Sequence, residues 1–331
     1  MIRHLSSRVK RSVYLGAAGE VHTPLYVKHP KTAAVIGAPQ TWGQPLLGTD
    51  LGPDLVRRKG LREELTKLQW RVEMQKDIVF PEPKTDDPPA ENARNCFAVG
   101  QGNMRLCETV RDAIKSEKFA LTLGGDHSVG IGTCAGALQA NPDVGFLWVD
   151  AHADINTPET SPSGNMHGMP IGLLMRLTDP VQLPGFEWMA NVPRLDPKRL
   201  AYVALRDLDP AEVEAIRSLG ICAFTMKDID HYGIGEVMSR ALEHLGQRPL
   251  HVSFDIDACD PLVAPASGTL VRGGLTWREA HYVAEAASDT GLVASLDMVE
   301  VNPMLSSGDM SDMTAELALA LISSTMGSRI L

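Results

Sequence analysis

Cysteine is scarce in this chain of 331 residues, and the five that occur (Cys96, Cys107, Cys134, Cys222 and Cys259) are scattered. No CxxC pair is present, and an odd number of thiols argues against a complete disulfide set. A reducing compartment fits that usage, and no thiol stands in a recognisable nucleophile context. There is no run of about 18 apolar residues to span a membrane. Basic residues are outnumbered, with 31 Lys and Arg against 41 Asp and Glu, and the net charge of −10 argues against a nucleic-acid partner. That balance weakly favours a cationic substrate. No internal repeat and no second composition regime divide the chain. The first 19 residues carry no acidic residue, and there Arg3, Arg8, Lys10 and Arg11 precede the first of them, Glu20. Residues 1–30 therefore read as a basic N-terminal extension with the composition of a mitochondrial transit peptide, the alternative being a short basic tail on a cytoplasmic protein, and residues 31–331 as the catalytic domain.

What remains is a regular alternation. Apolar runs at 33–37, 119–123, 144–149, 199–205, 221–224, 250–254 and 292–296 read as buried strands. Helical spacing of Leu55, Leu61, Leu65 and Leu68 predicts one helix over 54–68. Further helices are expected at 101–116, 237–245, 277–288 and 313–326, and a Pro-rich surface loop at 81–95. The expected fold class is α/β: a single domain with a central parallel sheet flanked by helices on both faces. In such sheets the site lies beyond the carboxyl ends of the strands. His127, Asp150, His152, Asp154, Asp255, Asp257 and Glu300 all follow the ends of apolar runs.

The stretch Asp150-Ala-His152-Ala-Asp154 carries three potential ligands at alternate positions. In an extended chain alternate residues share a face, so they are expected to converge just past a strand's end. Together with His127, Asp255 and Asp257 they make four carboxylates and two imidazoles, a charge that repulsion and desolvation forbid without cations. Two divalent ions about 3.5–4 Å apart would resolve it, and a hydroxide bridging them is a nucleophile at neutral pH. Oxygen-rich ligation without thiolate favours Mn²⁺ among the borderline-hard metals. Hydrolysis at an electrophilic carbon or phosphorus centre follows.

Four motifs then carry a resemblance: Gly124-Gly-Asp-His-Ser128, Asp150-Ala-His-Ala-Asp-Ile-Asn156, Ser253-Phe-Asp-Ile-Asp257 with Asp260-Pro261, and Glu300-Val-Asn-Pro303. Over about residues 31–327 the sequence resembles the ureohydrolases, and Ser163-Gly-Asn-Met-His167 resembles the arginases among them. That resemblance implies the arginase/deacetylase-like fold and two Mn²⁺ ions. One ion falls on His127, Asp150, Asp154 and Asp255, the other on Asp150, His152, Asp255 and Asp257. It implies hydrolysis of L-arginine to L-ornithine and urea, with Asp154 holding the hydroxide, His167 shuttling a proton and Glu300 receiving the guanidinium. Asn156 and Ser163 match contacts to the substrate carboxylate, and Asp209 and Glu212 match contacts to its amino group. Asp207 and Thr269 belong to the surrounding shell. A homotrimer is implied as well. The alternatives are an agmatinase or another guanidino-acid hydrolase, or a catalytically silent scaffold. Leu270 stands where a proline is usual in the family, and Leu46 to Asp50 replace a Gly-Val segment.

Overall fold

Every strand pairs in parallel with its neighbours. A computed structural model describes residues 32–329 of the chain; the basic extension predicted at 1–30 lies outside them. The chain begins with β1 (Thr32–Ala38), α1 (Gly52–Arg58), α2 (Leu61–Lys67), β2 (Arg71–Met74), α3 (Cys96–Lys115) and β3 (Phe119–Gly124). It continues through α4 (Gly130–Ala140), β4 (Gly145–Val149), α5 (Pro170–Leu174), β5 (Leu200–Leu205), α6 (Pro210–Leu219) and β6 (Cys222–Thr225). It closes with α7 (Met226–Tyr232), α8 (Ile234–Leu245), β7 (Leu250–Asp255), α9 (Trp277–Asp289), β8 (Val293–Val299) and α10 (Gly308–Thr325). The eight strands form one sheet in the order β2-β1-β3-β8-β7-β4-β5-β6.

The period of two along each strand sorts the core into two halves. Leu147 and Val149 of β4 join Leu121, Val203, Val252 and Leu296 against the helices α1, α2, α8, α9 and α10. Phe146 and Trp148 of the same strand point the other way, to a cluster shared with α3, α4 and α5. Helices on both faces explain why these strands read as continuous apolar runs.

The single helix expected over 54–68 is two. Gly60 takes φ +96° between them, a left-handed turn that ends α1 and re-aims the chain. The edge strand β2 and helix α7 were not legible beforehand. β2 is four residues long and half-exposed, so Arg71 and Glu73 interrupt any apolar run. The helix expected at 101–116 starts at Cys96, and the last helix starts at Gly308. Among the described residues no helix is long and apolar enough to cross a membrane.

All five cysteines are unpaired, and four are buried. Burial pushes the thiols of Cys96 and Cys107 up to about 12 and that of Cys222 up to about 11, which removes them as nucleophiles.

Candidate metal centre and active site

The central strands deliver their last residues to one place. His127 follows β3, Asp150 follows β4, Asp255 ends β7 and Glu300 follows β8. His127 is almost wholly buried, and its Nδ1 lies 3.0 Å from Asp150 Oδ2, 3.1 Å from Asp154 Oδ2 and 3.1 Å from Asp255 Oδ2. His152 Nδ1 lies 3.4 Å from Asp150 Oδ1 and 3.2 Å from Asp257 Oδ2. Two groups, His127 with Asp150 and Asp255, and His152 with Asp150 and Asp257, could each hold a metal ion, and Asp150 belongs to both.

The convergence of Asp150, His152 and Asp154 does not come from an extended chain. β4 stops at Val149, and Asp154 takes φ +52°, so the segment coils and returns its third carboxylate to the first. Glu300 is likewise left-handed at φ +66°. Such conformations at non-glycine residues cost of the order of 1 kcal/mol each and persist where the surroundings over-determine them. Here Tyr202 donates to the Ala153 carbonyl at 2.7 Å, and Ile171 N donates to the Asp154 carbonyl at 2.9 Å. Gly125 is needed for contact instead. A Cβ there would lie 1.8 Å from the Gln40 carbonyl oxygen, so the β1 and β3 loops could not meet.

Four carboxylates and two imidazoles share this pocket of charge. Burial, then the charge of Asp150, pushes Asp154 up to about 6. Burial, Asp257 and Asp150 hold Asp255 well above the carboxylate range. Burial also opposes ionisation of Asp150, but hydrogen bonds with His127 and His152 outweigh it and leave that group below its ordinary value. His127 Nδ1 is buried without a hydrogen-bond partner while facing three carboxylates. A bare imidazole nitrogen among carboxylate oxygens, with no thiolate at hand, is the donor set of a borderline-hard divalent cation. The residues therefore fit metal ions.

Above the cluster opens a cavity of about 130 Å³, into which His127, His152, Asp154, Asp255, His167 and Thr269 project. Asn156, Ser163, Asp209 and Glu212 form the rest of its predicted wall. Asp150, Asp257 and Glu300 are buried outside the lining, and the largely exposed Asp207 stands 3.8 Å from His152 Nε2. Thr269 donates to Asp257 Oδ2 at 2.8 Å. A larger cleft of about 740 Å³ lies elsewhere, between α2, α9 and α10. It gathers no cluster of carboxylates and imidazoles like the one at the strand ends, so the chemistry belongs to the smaller cavity.

Around that cavity the polar groups brace one another. Asn156 Nδ2 donates to Asp209 Oδ2 at 2.9 Å, and Thr160 donates to Asn156 Oδ1 at 2.9 Å. Asp209 caps α6, and Glu212 closes the capping box, accepting from Asp209 N and from Ile155 N. Burial pushes Glu212 up to about 7. His167 Nδ1 sits 3.6 Å from Glu300 Oε1, and Glu300 offsets the effect of burial to raise that imidazole.

Several residues to which sequence reading assigned no role complete the site. Gln44 donates to Glu300 Oε2 at 2.7 Å. Trp148 donates to Asp150 Oδ2 at 3.0 Å and stacks on His127 with ring centroids 4.2 Å apart. Arg206 donates to the carbonyls of Asp257 and Val271, tying the metal turn to the Thr269 loop. Asn92 donates to the carbonyls of both Pro158 and Ser161, at 2.7 and 2.8 Å, and so spans the loop that carries Ser163. Nothing local marks Gln44, Arg206 or Asn92, because each acts on a segment distant in sequence. Asn92→Ala frees the loop but touches no group of the metal cluster. It is expected to raise KM for the substrate about tenfold, from a loss of about 1–2 kcal/mol of hydrogen bonding across two part-buried bonds, with kcat nearly unchanged. Steady-state kinetics on the variant check this.

Comparison with known proteins adds a lineage to this geometry. The family model described as "Arginase family" matches residues 31–327. The chain belongs to the arginase family. It is 45% identical to the mitochondrial arginase-2 of Rattus norvegicus over 302 residues, 89% of this chain and 85% of that one. The hepatic arginase of Aquarana catesbeiana is 43% identical, covering 90% of this chain and 93% of its own. Among solved structures, the arginase from Bacillus caldovelox superposes with a TM-score of 0.85 at 36% identity, over 91% of this chain and 100% of that chain. The expected arginase/deacetylase-like sheet is thus the fold of its relatives, and the protein is a hydrolase of the ureohydrolase class.

Proposed function

We propose that this member of the arginase family hydrolyses L-arginine to L-ornithine and urea at a binuclear Mn²⁺ site. The observation that carries the reading is Asp150, shared between two imidazole–carboxylate groups beneath a cavity walled by Asn156, Ser163 and Asp209. His127, Asp150, Asp154 and Asp255 would hold one ion, and Asp150, His152, Asp255 and Asp257 the other. When bound, the ions supply Lewis-acid activation of water at neutral pH.

The protein's own groups do the rest. Asp154 lies beside both His127 and the cavity, placed to orient the attacking water and to accept its proton at a carboxylate oxygen. Glu300 presents a buried carboxylate to the guanidinium, and a cation there is paired on arrival. His167, beside Glu300 and on the cavity wall, is placed to carry the proton to the departing amine through its ring nitrogen. Asn156, Ser163 and Asp209 would hold the amino-acid end, with Glu212, Asp207 and Thr269 supporting them. The same reading includes a homotrimer and a mitochondrial setting. The basic composition of residues 1–30 and the naming of the rat relative support the setting.

Agmatine lacks the carboxylate that Asn156 and Ser163 would contact. A site built to hydrogen-bond a group rejects the analogue without it, here by about 10³-fold or more in kcat/KM. Urea release by the Mn²⁺-loaded protein, with L-arginine and agmatine run side by side, checks this. Preference for agmatine would keep the metal site and overturn the carboxylate contacts.

A further inference from the structure

The central strands of a parallel sheet covered on both faces are ordinarily apolar throughout. β7 and β8 break that pattern on one face only. Their registers pair His251 with Ser295 and Ser253 with Asp297, and β3 sets Thr122 beside Asp297. All of these side chains are buried. Asp297 Oδ2 accepts from Thr133 of α4 at 2.5 Å, lies 3.1 Å from His251 Nε2, and accepts from Ser253 Oγ at 3.5 Å. Ser253 Oγ in turn lies 2.9 Å from His127 Nε2. His251 Nδ1 is 2.8 Å from Ser295 Oγ. Among the described residues Asp297 Oδ1 has no hydrogen-bond partner, and neither has Thr122 Oγ1. A buried oxygen left unsatisfied in a core strand calls for an explanation beyond packing.

We infer that Asp297 and His251 are positioning residues, a buried carboxylate–imidazole couple that fixes, through Ser253, the tautomer and angle at which His127 offers Nδ1 to a metal ion. This rests on the reading of His127 as a ligand given above. The direction of the chain follows from His127 itself. As a metal ligand its Nδ1 would carry no proton, so the ring proton would sit on Nε2 and donate to Ser253 Oγ. The Ser253 hydroxyl then donates to Asp297, whose charge His251 balances. Burial pulls the His251 imidazole down, but the charge of Asp297 more than offsets it and holds that group up at about 10, protonated at neutral pH. Outer partners of this kind raise the basicity of a ligating imidazole and commonly change metal affinity by about 10–100-fold. His152 makes no contact with this chain of groups, so the two ions are affected unequally.

The test is Mn²⁺ titration of the metal-free full-length protein, followed by the Mn²⁺ electron paramagnetic resonance signal and by thermal melting of the metal-free form. The wild type is expected to take two Mn²⁺. In Asp297→Asn one of them weakens by about 10–100-fold and the other does not. The double variant His251→Gln/Asp297→Asn removes both buried charges, so its metal-free melting temperature returns toward that of the wild type, while its Mn²⁺ affinity stays as weak as in Asp297→Asn. That double variant also carries the test if the single one folds poorly. Recovery of Mn²⁺ affinity together with melting temperature would overturn the inference in favour of a purely structural couple. Two Mn²⁺ bound with unchanged affinity by Asp297→Asn would overturn it alone. A wild type that takes no Mn²⁺ would overturn the metal reading beneath it, and this inference with it.

Discussion

Asp150→Asn is expected to strip both metal ions and to lower kcat by about three orders of magnitude or more, since metal-assisted activation of water is worth several kcal/mol. Asp150 belongs to both of the groups gathered at the strand ends. Its two oxygens are also fixed from behind: Oδ2 accepts from Trp148 Nε1 at 3.0 Å and Oδ1 from His152 N at 2.7 Å. An asparagine must turn its NH₂ toward one of those two donors, so no orientation satisfies the buried site. The substitution therefore removes a charge, a shared ligand and a fixed geometry together. His152→Ala is the graded comparison. It breaks only the group with Asp150 and Asp257, so metal analysis should find about one ion in place of two. Metal content by atomic absorption, measured beside urea release, separates the cases. Full metal content in Asp150→Asn would refute the shared-ligand assignment.

The same residue shows what a sequence can and cannot reveal. Asp150, Asp255 and Glu300 were legible as site residues because each follows an apolar run, and strand ends in a parallel sheet face one edge. Strand order was not legible, since nothing in β8 announces that it inserts between β3 and β7. That insertion is what brings Glu300 N to the Gly125 carbonyl at 2.8 Å and the Glu300 carboxylate to His127. Alternation placed Asp150, His152 and Asp154 together correctly but for the wrong reason, because the left-handed Asp154 belongs to a coil. The polar stripe of His251 and Ser253 was visible as letters, yet an apolar reading of 250–254 absorbed it. Its partner Asp297 lies on another strand, and only the register joins them. Asn92 and Gln44 gave no local signal, for their work is done on loops more than 60 residues away.

Glu300→Gln is expected to lower kcat/KM for L-arginine by about 10²–10⁴-fold while leaving two metal ions bound. That range corresponds to the roughly 3–5 kcal/mol lost when one partner of a buried charge pair is removed, about 10²- to 4,000-fold. Glu300 is 1% exposed, and both its oxygens are already engaged. Oε1 accepts from His127 N at 2.8 Å, and Oε2 accepts from Gln44 Nε2 at 2.7 Å. The carboxylate thus keeps only its remaining lone pairs for an incoming guanidinium, which fixes the plane in which that planar cation can dock. Glutamine removes the charge and must also turn its NH₂ against one of the two donors, so orientation is lost along with attraction. Glu300 is absent from both metal-holding groups, which is why metal content should not follow activity down. Gln44→Ala removes one brace and leaves the charge, so its loss should be smaller, about tenfold, from a hydrogen bond to a charged group worth 1.5–3 kcal/mol at most. Kinetics and metal analysis of the two variants together decide the role. Loss of activity with loss of metal would make Glu300 a prop for His127, whereas loss of activity at full metal content makes it the seat of the guanidinium.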